Sequence, residues 1–206
     1  TWFIDTFTSV PFKGNPTVVC GTEQHLDEDV MLSIAKEMNC PVTAFIKKKP
    51  GEITTYYIRY FTPITEIPAC GHATLAAAKS VSLQQGAGDV WEFHTVNNIS
   101  IKTFVEANRI LMTYPVYAME EQVINAELLA ALDLNDYKTA GYSEDLETLF
   151  IELESAESLG NIQPDYQRLV NSSKVIKEVV ITSFSDNANF DYYLRSFCPC
   201  IGIDED

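Results

Sequence analysis

The segment from Ile53 to Ser82 constrains the fold more than any other part of this chain. Ile53 to Phe61 is rich in aromatic and β-branched residues, which favour a pleated strand, and Pro63 stops it. A loop carrying Glu66 follows, and Gly71-His72 opens a helix. From Ala73 to Ser82 that helix is built almost entirely of small side chains. Small residues let a sheet approach a helix closely on several sides, so the sequence predicts a buried, central helix. Its first turn offers backbone N–H groups and the positive end of the helix dipole, which suit a small anion such as a carboxylate. His72 stands at that mouth as a group able to give or take a proton near neutral pH, or simply as a cap.

With 206 residues the chain can hold one large domain or two modest lobes, and 46% hydrophobic content describes a soluble globular protein. The net charge of -15, from 14 basic and 29 acidic residues, argues against nucleic acid and anionic membrane as partners. Lys47 to Lys49 precede Pro50-Gly51 and read as a solvated hairpin tip. No apolar run is long enough to span a membrane, and the N-terminus has no signal-peptide pattern. The five cysteines have no repeated spacing, Cys198-Pro199-Cys200 is not a CxxC, and His25, His72 and His94 are scattered. No metal site is therefore expected, and reduced thiols in a cytoplasm are. GxGxxG, Walker and GxSxG motifs are absent, so nucleotide binding and the common hydrolase chemistries have no support.

In chain order, Trp2 to Thr8 reads as a strand, Pro11 to Pro16 as a turn and Thr17 to Cys20 as a second strand. Asp27 and Glu28 open a helix with Val30, Met31, Ile34, Ala35 and Met38 on one face, ended by Asn39 and Pro41. Thr43 to Ile46 pairs with Ile53 to Phe61 as a hairpin. After the small-residue helix come antiparallel strands at Val90 to Thr95, Ile99 to Val105 and Arg109 to Tyr114, the last two turning at Glu106-Ala107-Asn108. Pro115 to Gln122 has no periodicity and divides the chain into lobes at 1–114 and 115–206. Asn125 then caps a helix to Leu132, Thr148 to Glu154 reads as a strand, and Pro164 starts a helix to Val170. Val175 to Phe184 and Phe190 to Phe197 form a second hairpin.

That second hairpin repeats the first. Tyr56 to Pro63 lines up without gaps on Tyr192 to Pro199 at an offset of 136 residues, with five of eight positions identical. The upstream hairpin fits the same offset, which favours an internal duplication. Two equivalent loops facing each other across a cleft would suit a reaction needing proton-transfer groups on opposite sides of one carbon. By the same offset, a counterpart of His72 would fall beyond Asp206, so the second lobe is expected to be incomplete, lacking its central helix.

Four pieces of the chain together resemble the PhzF-like family, which has the two-lobed diaminopimelate epimerase fold. They are Asp5-Thr6-Phe7-Thr8 through Asn15-Pro16; Glu37-Met38-Asn39 with Thr43-Ala44-Phe45; Phe61-Thr62-Pro63 through Cys70-Gly71-His72-Ala73-Thr74; and Arg195 through Asp206. The resemblance implies an α/β (α+β) protein of two pseudo-symmetric lobes, each a mixed, mostly antiparallel sheet wrapped around a central helix. It further implies a cytoplasmic, cofactor-free homodimer with a small carboxylate-bearing ligand between the lobes. The PhzF activity is an isomerisation by proton relocation on a small cyclic amino acid. The family's main acid/base group is a glutamate, supported by the histidine of the GH motif, an aspartate of the second lobe and a later serine. His72 matches the histidine and Asp206 the aspartate; the serine would lie beyond residue 206. Gly71, Ala73 and Asn15 are the implied substrate-binding positions. In the register of Glu37-Met38-Asn39-Cys40-Pro41-Val42-Thr43, Val42 occupies the place of the glutamate, and a valine cannot carry a proton.

Three readings follow from these residues: a PhzF-type isomerase impaired by Val42, a catalytically silent binding or structural relative, and a cysteine racemase using Cys70. The last needs a second thiolate on the opposite lobe, and Cys198 and Cys200 precede the position where one would be needed. Glu66 and Arg59 read either as site residues or as a structural ion pair, and Asn15 either as a ligand contact or as turn geometry.

Overall fold

The strand before Pro63 and the helix after it are both present, and the first sheet is built around them. The computed structural model describes residues 1–86, 90–106 and 109–206. It divides into two units, Thr1–Pro115 and Val116–Asp206. The first contains β1 (Trp2–Thr6), β2 (Asn15–Thr22), α1 (Glu28–Met38), β3 (Val42–Lys48), β4 (Thr55–Phe61), β5 (Glu66–Ile67), α2 (Gly71–Gln85), β6 (Val90–His94), β7 (Ser100–Glu106) and β8 (Arg109–Thr113). The second contains β9 (Glu120–Glu121), α3 (Ala126–Ala131), β10 (Thr139–Ser143), β11 (Thr148–Leu153), α4 (Ala156–Asn161), α5 (Tyr166–Ser172), β12 (Glu178–Phe184), β13 (Tyr192–Phe197) and a 3-10 turn at Pro199–Ile201.

In the first unit the strands run β1-β2-β3-β4-β6-β7-β8, with the short β5 paired to the end of β4. Helix α2 touches β1, β2, β3, β7 and β8, so strands from both edges of the sheet reach it. It is buried over most of its surface, with Ala73, Ala76, Ala77 and Ala78 fully buried, while one stripe through Lys79 and Leu83 is exposed. The opposite face of the sheet is covered by α1, whose Met31 and Ala35 pack on Val18, Cys20, Phe45 and Phe61. Val30 is 46% exposed and does not belong to that face. Asn39 closes α1 in the left-handed conformation, donating its N–H to the Ala35 carbonyl.

The first strand is shorter than its sequence suggests. Phe7 turns to a positive φ of 63°, and the Asp5 carboxylate accepts the Phe12 N–H at 2.7 Å, bending the chain out of the sheet. A Cβ on Gly14 would stand 2.1 Å from the Thr6 carbonyl oxygen, so only glycine fits where the turn returns. Ile53 is 74% exposed and lies before β4. Strands β6, β7 and β8 are successive and antiparallel; Ala107 and Asn108 of the expected turn lie outside the described residues.

The second unit is a sheet of order β13-β12-β11-β10-β9. It repeats the pairing of the first: antiparallel β10–β11, parallel β11–β12 and antiparallel β12–β13 match β1–β2, β2–β3 and β3–β4. Phe45 faces Arg59 in one hairpin and Ile181 faces Arg195 in the other, the same register at the same offset. Its core gathers Leu128, Leu132, Leu149, Ile151, Val179, Ile181 and Phe197. Strand β10 and helix α4 were not expected from the sequence, and β9 falls within the stretch read as the lobe boundary.

Candidate functional site

The mouth of α2 is fixed by a chain of short hydrogen bonds. The Thr74 hydroxyl donates to the Cys70 carbonyl at 2.7 Å. Its single hydrogen being used, it accepts from the Tyr60 phenol of β4 at 2.6 Å. Burial pushes the Tyr60 phenol well above its ordinary pKa, so it stays a neutral donor. Cys70 stands at the N-cap position in extended conformation and its side chain makes no capping bond. The first-turn N–H groups of Gly71, His72 and Ala73 therefore receive nothing from the residue type that normally satisfies them.

His72 is 5% exposed. Its Nδ1 lies 3.3 Å from the Cys70 thiol, so the loop and the first turn hold the ring from one side. The pair sits at the positive end of a fifteen-residue buried helix. Gly71 adds a further sign: a Cβ there would meet Met112 Cε at 3.6 Å, an ordinary contact, and its φ is not positive. Among the described residues, neither space nor backbone conformation demands a glycine at 71.

Val42 begins β3 and is 1% exposed. Val19, Ala44 and Tyr60 are aligned across β2, β3 and β4, and Tyr60 reaches Thr74, so this row faces α2. Side chains alternate along a strand, so Val42, two residues before Ala44, shares that face. Thr17 is its partner on β2. The Thr17 hydroxyl is buried with no hydrogen-bond partner, a state that costs about 1–3 kcal/mol. The α2-facing position beside it thus holds an unused donor next to a side chain that can accept nothing.

The remaining sequence-derived residues are placed as follows. Asn15 is the first residue of β2, opposite Thr6, rather than part of the turn before it. Asp206 belongs to the second unit, where its N–H donates to the Ser196 carbonyl at 3.0 Å. Arg59 and Glu66 form a two-pronged ion pair at 2.7 and 2.6 Å, with Glu28 of α1 also on the guanidinium. That pair ties loop, sheet and helix together and is structural. Arg195 repeats the device in the second unit, gripping Glu205 at 2.7 and 2.8 Å and the Ile162 carbonyl at 2.8 Å. Among the described residues no group of three or more His, Cys, Asp and Glu could hold a metal ion, and no helix is long and apolar enough to cross a membrane. Sequence reading missed the Tyr60–Thr74 link and the Thr17 hydroxyl. Only the alternation of β4, which puts Tyr60 on the side opposite Phe61, hinted at the first.

Compared with known proteins, residues 4–206 match the PhzC-PhzF profile, described as phenazine biosynthesis-like protein. A human phenazine biosynthesis-like domain-containing protein is 31% identical over 98% of this chain and 76% of its own length. An uncharacterized isomerase of Pseudomonas aeruginosa is 33% identical over 98% of this chain and 74% of its own length. The crystal structure of a PhzF-family phenazine biosynthesis protein from Enterococcus faecalis superposes with a TM-score of 0.83 at 31% identity, covering 100% of this chain and 75% of that one. A predicted epimerase of Pseudomonas aeruginosa shares the fold at a TM-score of 0.71 and 19% identity, over 100% of this chain and 75% of that one.

Proposed function

Since the chain belongs to the PhzC-PhzF family of phenazine biosynthesis-like proteins, we propose that it carries a cofactor-independent isomerase site for a small, carboxylate-bearing, amino-acid-like metabolite. The observation that carries this reading is the mouth of α2. A buried histidine, a glycine that packing does not require and an uncapped first turn meet at the positive end of a buried helix. The ligand's carboxylate would sit on the N–H groups of Gly71, His72 and Ala73. His72 would polarise the ligand, with Asn15 of the same unit contributing a further contact. The reaction would relocate one proton: a C–H bond breaks, the electron pair shifts along the ligand, and a proton returns at another carbon. Nothing is gained or lost overall, so no redox partner enters. The same reading makes the protein a cytoplasmic homodimer.

Val42 sets the rate. A positioned general acid/base typically supplies about 10²–10⁴-fold, and the residue in the glutamate's register cannot act as one. A second reading, a catalytically silent ligand-binding member of the family, is favoured by that same buried valine. Both readings require the α2 mouth to bind an anion. Acetate titrated into the protein is expected to shift the amide resonances of Gly71, His72 and Ala73 saturably, and His72→Ala is expected to weaken this binding more than it lowers the Tm. Equal acetate affinity in folded His72→Ala would reduce His72 to a cap, and the absence of a saturable shift in the wild type would remove the site.

A further inference from the structure

A second concave surface lies on the face of the first sheet turned away from α2. Strand register sets Lys47, Tyr57 and His94 side by side on β3, β4 and β6. Phe45 and Arg59 pair in the adjoining row of the same face. Met31 of α1 and the loop carrying His25 wall the hollow, which encloses about 360 Å³. That lies within the range of small-molecule sites, roughly 300–1,000 Å³. Phe45 and Met31 are buried and apolar, and Tyr57 presents a 45% exposed ring above them.

The charge of this hollow is opposite to that of the chain. The protein carries a net charge of -15, yet the basic residues His25, Lys47, Arg59 and His94 line the hollow and no described carboxylate does. Arg59 is neutralised by Glu66 and Glu28 from outside it, and His94 lies 3.2 Å from Glu92. Lys47 has neither an ion pair nor a side-chain hydrogen bond among the described residues. An unpaired, half-buried ammonium over an aromatic floor selects an apolar monoanion. A cation would meet repulsion, and a multiply charged anion would find one unpaired permanent charge.

We propose that this face is a binding site for a small aromatic monocarboxylate, its ring against Phe45 and Tyr57 and its carboxylate on the Lys47 ammonium. It is separate from the α2 mouth and does not depend on the isomerase reading. The three histidines make the test site-specific: His25 and His94 line this hollow, while His72 is at the α2 mouth. Titration with 2-naphthoate, read on the imidazole proton resonances and assigned with His25→Gln and His94→Gln, is expected to shift His25 and His94 saturably and leave His72 in place. Lys47→Met, a change at a partly exposed position, is expected to weaken naphthoate binding about fivefold. The neutral 2-naphthylmethanol should bind the wild type correspondingly less well. A shift confined to His72, no saturable shift at all, or unchanged affinity in Lys47→Met would overturn the proposal. So would His25 and His94 resonances that move with protein concentration alone, because a second copy of the chain would then occupy this face.

Discussion

Two glycines of the first unit differ, at the scale of single residues, in whether packing requires them. Gly14 has no room for a side chain, since its Cβ would stand 2.1 Å from a carbonyl oxygen and 2.6 Å from Thr8 Cγ2. Gly71 has ordinary space and begins a helix, where alanine is a better residue. Gly14→Ala is therefore expected to lose about 1–3 kcal/mol in chemical denaturation. Gly71→Ala is expected to lose none, while acetate binding at the α2 mouth weakens by at least severalfold. A Gly71→Ala protein that unfolds early would show that the position serves packing, and one that binds acetate normally would show that the mouth is not the site. His72 and Val42 were both legible in the sequence as positions, from the GH motif and from the Glu37-Met38-Asn39 register. Their surroundings were not: the Cys70–His72 contact of 3.3 Å depends on the bend of the loop into α2, which no spacing rule encodes.

Helix α2 was readable as an element because its run of alanine, serine and threonine leaves few alternatives to close burial. What anchors it is a tertiary contact between residues fourteen apart, the Tyr60 phenol on the Thr74 hydroxyl. Tyr60→Phe is expected to cost about 1 kcal/mol near neutral pH. The pH dependence follows from the direction of the shift. Burial raises the folded-state pKa of Tyr60 above its unfolded value of about 10. Its contribution is thus complete below pH ~10 and is lost as the pH rises through the folded value, because the unfolded chain releases the proton first. Denaturation midpoints measured from pH 7 to 11 should fall less steeply for Tyr60→Phe than for the wild type; parallel curves would remove Tyr60 from that role. Strand β10 escaped the sequence reading because Thr139-Ala-Gly-Tyr-Ser lacks a clean apolar alternation. Helix α4 escaped because six residues carry less than two turns of periodicity, leaving the Ser155 cap on the Ser158 N–H as its main signal.

For the molecule as a whole, the repeat of strand pairing gives each unit the same hairpin, with an arginine placed over a phenylalanine ring two residues on, at 5.2 Å in one and 4.9 Å in the other. Each arginine also grips a downstream glutamate, so each hairpin is tied to the segment that follows it. In the first unit that segment leads to the α2 mouth, where the family's chemistry would be performed with Val42 in the glutamate's register. The neighbouring strand sets the unpartnered Thr17 hydroxyl beside Val42. Deuterium incorporation from solvent into a small amino-acid-like substrate, compared among the wild type, Val42→Glu and Val42→Gln, tests this proposal most directly. The wild type and Val42→Gln are expected to exchange slowly, and Val42→Glu about 10²–10⁴-fold faster. Exchange by the wild type as fast as by folded Val42→Glu would contradict the assignment and place the base elsewhere.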